Sequence, residues 1–129
     1  MVLCDFAESV NGKLYIMGAG WDQVAANVPV PVAVAMLVTV PWDQTNTEHA
    51  LVMELADEDG HRVSLGNPPQ EVVQHVSFEA GRPPGVRPGT GQTAPLALRF
   101  TALPLPPGGY SFIVTVDGTE RARVSFRAK

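Results

Sequence analysis

The sequence predicts an all-β fold: an antiparallel β-sandwich of about nine strands, built as one domain over residues 1–129. Three observations carry that expectation. Glycine and proline number 12 each in 129 residues, more turn-forming residues than a helical protein tolerates. No long stretch places apolar side chains at the three-and-four spacing of an amphipathic helix. Apolar residues instead alternate with small or polar ones in short runs between turn signals, the pattern of a sandwich or barrel.

The elements follow in chain order. Val2 to Ala7 and Lys13 to Met17 read as two N-terminal strands, with Val2, Cys4 and Phe6 on the apolar face. In "PVPVAVAMLVTVP" the large residues Val32, Val34, Met36, Val38 and Val40 alternate with mostly small ones and should face the core. Leu51, Met53 and Leu55 point inward on the next strand, and Glu58-Asp59-Gly60 turns the chain toward Val63 and Leu65 as a hairpin. Pro69 to Phe78 fits a helix or a strand by spacing, and its β-branched content favours a strand. "GRPPGVRPGTGQTAP", residues 81–95, permits no alternation and reads as a long Pro/Gly-rich loop.

Three strands complete the chain, carrying Leu96, Leu98 and Phe100, then Tyr110, Phe112, Val114 and Val116, then Ala122, Val124 and Phe126. Asp117-Gly118 between the last two is a type I′ hairpin signal. Tyr110 follows Gly108-Gly109 and precedes the core position Phe112 by two residues, as in the tyrosine corner of immunoglobulin-like sandwiches. That topology is one arrangement the pattern fits; another sandwich or a closed barrel are the others.

Composition bounds the function. A net charge of -4 supplies no positive field for nucleic acid. Asp5 and Glu8 interrupt any signal-peptide core, and the apolar run Val28 to Val40 is broken by Pro29 and Pro31 and falls short of the roughly 20 residues of a membrane helix. No membrane insertion is expected. The one cysteine, Cys4, cannot close an internal disulfide, which suits a reducing cytoplasm.

Candidate chemistry is thin. Gly18 and Gly20 begin a dinucleotide fingerprint, but Gln23 stands at the third glycine position, and two prolines follow where the phosphate-binding helix should run. The pair reads as a bend. His49, His61 and His75 lack metal-ligand spacing and read as solvent-facing, with His75 opposite Val76 and Phe78. Ala56 to Gly60 is an acidic turn without the ligand order of a calcium loop. Cys4 reads as an inert core thiol, and no serine lies in a nucleophile elbow. No catalytic, cofactor or metal residue is therefore assigned.

Interaction candidates remain. Arg121, Arg123 and Arg127 form a basic stripe opposite Ala122, Val124 and Phe126. Arg82 and Arg87 lie in the proline-rich arm, available to a carboxylate or phosphate. Trp21 and Trp42 each precede an aspartate after a strand end, as interface anchors or as plugs of the sandwich.

The segment "CDFAESVNGKLYIMGAGWD" resembles the opening of a small bacterial domain family of unknown function, recognised in actinobacteria among others, whose shared motif is "GKLYILGGGW". Residues 5–22 carry the likeness, and Ala19 stands where glycine is common. The resemblance implies a β-sandwich and no activity. The expected function is a non-enzymatic interaction or assembly module, self-associating or binding a protein partner through a sheet edge or the proline-rich arm. The alternative is a small-molecule binder with a pocket near Trp21 and Trp42.

Overall fold

A computed structural model describes residues 1–100 and 102–129. Twelve strands account for nearly all its regular structure: Val2–Cys4 (β1), Phe6–Val10 (β2), Lys13–Met17 (β3), Gln23–Val24 (β4), Val32–Val40 (β5), Glu48–Asp57 (β6), Ser64–Leu65 (β7), Gln70–Glu71 (β8), Val73–Glu79 (β9), Gln92–Phe100 (β10), Gly108–Val116 (β11) and Thr119–Ala128 (β12). The excess over the expected number comes from two- and three-residue strands that alternation cannot reveal. One 3-10 turn spans Trp42–Gln44.

Two sheets face each other, β1-β5-β10 and β4-β12-β11-β6-β9. All pairings are antiparallel except β4 with β12, which is parallel. The core lies between the sheets and follows the alternation: Val32, Val34 and Met36 from β5, Leu51, Met53 and Leu55 from β6, and Phe112 and Val114 from β11. Phe112 is fully buried and stacks between Phe100 and Phe126, with ring centroids 5.2 and 5.6 Å away.

The small residues of β5 have a reason that alternation alone does not supply. The β2–β3 hairpin turns on Asn11-Gly12, both at positive φ, and folds over the outer face of the three-stranded sheet. Cys4, Ala7, Ala33 and Ala35 form a second, thin core beneath it, closed by Leu14 and Ala97. Larger side chains on that face would hold the hairpin off. The first strand departs from expectation accordingly: Leu3 enters the main core, Cys4 enters the thin one, and Val2 and Phe6 are exposed. Asp5 marks the bend, its N–H donating to the carbonyls of Met17 and Gly18 at 3.1 Å.

Gly18 and Gly20 make the expected bend rather than a phosphate loop. Both have positive φ, 65° and 96°. A Cβ on Gly18 would sit 2.3 Å from the Asp5 carboxylate, so glycine lets the two passages of chain close on each other.

The Pro/Gly-rich loop is shorter than 81–95, because Gln92 to Pro95 join β10. Pro95 is tolerated there because β10 is an edge strand. The Glu58-Asp59-Gly60 turn does return the chain toward β6, with the Val63 N–H donating to Leu55 O at 2.9 Å. The chain then leaves as the small β7–β8 hairpin before rejoining the sheet as β9.

Candidate functional site

Two features stand out: an end cavity between the sheets and the exposed face of the β2–β3 hairpin. The cavity, of about 360 Å³, is walled by Met36 and Val38 of β5, Phe78 of β9, Val114 of β11 and Ala122 of β12. Its polar residues include His49, Asp117, Gln44 and Arg121.

His49 is buried, contrary to the solvent-facing position expected for it. Alternation on β6 explains this, since Leu51 and Met53 share its face. Its Nδ1 lies 2.7 Å from Asp117 Oδ2 and its Nε2 lies 2.8 Å from the Gln44 carbonyl oxygen. An ionised carboxylate and a carbonyl only accept, so both ring nitrogens must donate and the ring is an imidazolium. The Asp117 carboxylate, and after it the Gln44 carbonyl, hold His49 above the ordinary histidine range against the opposing effect of burial. Asp117 is held below the usual carboxylate range by His49 and then by the Ala50 N–H, which donates to Oδ1 at 3.0 Å. The Asp117-Gly118 turn thus also presents a counter-ion.

Arg121 leaves the basic stripe in which alternation placed it. Val114 pairs with Ala122 and Thr115 with Glu120, so Arg121 is the extra residue of a β-bulge. Bulges re-aim side chains, and this one sets Arg121 on the cavity lining. Arg123 stays in the stripe, paired with Glu120 at 2.9 Å, and Arg127 pairs with Glu58 at 2.9 Å.

The two tryptophans lie at opposite ends of the sandwich. Trp21 packs edge-on against Phe126 with centroids 5.9 Å apart, plugging the end where Tyr110 donates its hydroxyl to the Pro106 carbonyl at 2.6 Å. Trp42 lies beside the cavity, next to the lining residue Pro41. Arg82 stacks on its ring at 3.7 Å from the centroid and donates to the Trp42 carbonyl at 2.7 Å and to Thr45 Oγ1. Arg82 is therefore a latch within the chain. Arg87 is exposed in the loop and makes no ion pair among the described residues.

The acidic turn brings ligand atoms of Asp57, Asp59 and His61 within 4.8 Å of one another. One Asp57 oxygen accepts the N–H groups of both Asp59 and His61 at 2.9 Å, which is how aspartate builds a turn. Cys4 is fully buried, and burial pushes its thiol upward, as expected of an inert core cysteine.

The whole chain, residues 1–129, matches a family of unknown function, DUF6941. The chain belongs to DUF6941. No curated protein and no solved structure matches it. Membership in DUF6941, a family of unknown function, brings no residue role. Among the described residues no helix is long and apolar enough to cross a membrane.

The hairpin face is the second feature, and strand register defines it. Phe6 pairs with Met17, Glu8 with Tyr15 and Val10 with Lys13, so these six side chains share one face of the ribbon. Ala7 lies on the other face, in the thin core. Exposure is 37% at Phe6, 38% at Val10, 56% at Tyr15 and 67% at Met17. Val2 and Leu37, on the outer face of the sheet below, are exposed too. Sequence reasoning missed this surface, although Asn11-Gly12 is a strong hairpin signal and the motif residues Tyr15 and Met17 lie at outward positions.

Proposed function

We propose that this protein is a non-enzymatic β-sandwich assembly module and that the outward face of its β2–β3 hairpin binds a second copy of the chain. The observation that carries this is the exposed set Phe6, Val10, Tyr15 and Met17 on one face of one ribbon, since clustered exposed apolar residues mark interaction surfaces. A two-fold interface needs a self-complementary patch. Glu8 and Lys13 supply opposite charges on that same face, so each could meet the other's counterpart across the axis.

The immunoglobulin-like reading of the sandwich belongs to this proposal. What supports it is the strand order, with β1, β5 and β10 opposite β12, β11, β6 and β9, and the Tyr110 hydroxyl bonded back to Pro106. A bacterial, cytoplasmic setting is proposed on the "GKLYIMGAGW" likeness and on a lone, buried cysteine.

Light scattering on the eluting protein tests the assembly. The intact chain is expected to run as a dimer and the Tyr15→Glu/Met17→Lys double variant as a folded monomer. A monomeric wild type, or a double variant of unchanged mass, overturns the reading.

A further inference from the structure

We propose that the end cavity is a binding site for a small amphipathic monoanion, its apolar body between the sheets and its anionic group on Arg121. This site is independent of the hairpin face. Three observations converge on it.

One wall of the cavity is apolar, formed by Met36, Val38, Phe78, Val114 and Ala122, and the rest is polar; its volume of about 360 Å³ lies within the range of small-molecule sites. Such a space accepts a hydrocarbon chain or ring at the expense of water.

The polar residues carry a net positive charge. His49 donates from both ring nitrogens and is balanced by Asp117. Arg121 enters no ion pair among the described residues. One negative charge restores neutrality, and a carboxylate can take two parallel N–H donors from a guanidinium.

Arg121 reaches the cavity because of the bulge between Val114 and Thr115. Without it, regular alternation would keep Arg121 outside with Arg123. Asp117 is bonded to His49 and also feels the Arg121 charge, but among the described residues the Arg121 guanidinium enters no ion pair, so its donors are the ones open to an anion. His49 is a positioning residue: it fixes the Asp117 carboxylate and the Gln44 carbonyl, and so shapes the rim.

Isothermal titration with decanoate, decanol and decylammonium as probes tests the proposal. Decanoate is expected to bind saturably at one site per chain, more tightly than decanol, with no saturable binding of decylammonium. Arg121→Gln should weaken decanoate binding about tenfold, the loss of one charge-assisted contact, and Arg123→Gln should leave it unchanged. Ala122→Leu, which fills the cavity, should abolish binding of decanoate and decanol alike. Arg121 is exposed, so its substitution reads out even if Ala122→Leu fails to fold. No saturable decanoate binding, equal affinity for the three head groups, or an Arg121→Gln variant that binds as the wild type overturns it.

Discussion

His49 shows how one buried group makes stability depend on pH. Its folded form titrates above the ordinary value of 6.5, so its contribution is whole below pH 6.5 and is lost as pH rises through the raised value. Asp117 titrates below its ordinary 3.8; its contribution is present above that pH and is lost as pH falls through the lowered value. The pair is strongest between the two ordinary values, and because Asp117 is half exposed its effect is screened. His49→Leu removes both hydrogen bonds of a buried ring and should cost about 1–3 kcal/mol near pH 6. Thermal melts should show the gap between wild type and variant shrinking as the solution turns alkaline. A gap independent of pH would show that the ring acts by packing alone. The sequence reading of His49 as solvent-facing fails because His49 lies within its strand, where counting back from Leu51 by two puts it on the core face.

At the scale of the element, the β2–β3 hairpin decides what β5 can be. A strand covered on both faces needs small residues on the face where a ribbon lies close, and Ala33 and Ala35 meet that need with 1% exposure each. Ala35→Leu should therefore overpack the thin core and destabilise by about 1–3 kcal/mol. Its first effect should be at the hairpin, which is bound through few apolar residues. Thiol labelling of Cys4 reads this directly: slow in the native wild type, faster in Ala35→Leu at denaturant levels that leave Phe112 and the main core intact. Equal labelling rates would mean that the hairpin does not close over Cys4. The large face of β5 was legible in the sequence because Val and Met alternate with Ala. The second layer was not, because "small" reads as solvent-facing until the covering ribbon is known.

For the whole molecule, the all-β class and most core faces were readable because alternation, turn residues and the absence of helical spacing agreed with one another. The bulge at Arg121 was not readable, since an extra residue in one strand becomes visible only against its partner's register. The β4–β12 pairing was not readable either, since two residues carry no period. Nor was the separation of Trp21 from Trp42, which depends on the path between strands. Copies of this chain are proposed to meet through the outward hairpin face, and amide hydrogen exchange followed from dilute to concentrated protein reads that contact at the surface itself. Segments within residues 6–17 should gain protection with concentration, while β9, a free edge in the chain alone, should exchange at the same rate throughout. Protection that does not change with concentration, or that rises at β9 and leaves the hairpin unaltered, would contradict it.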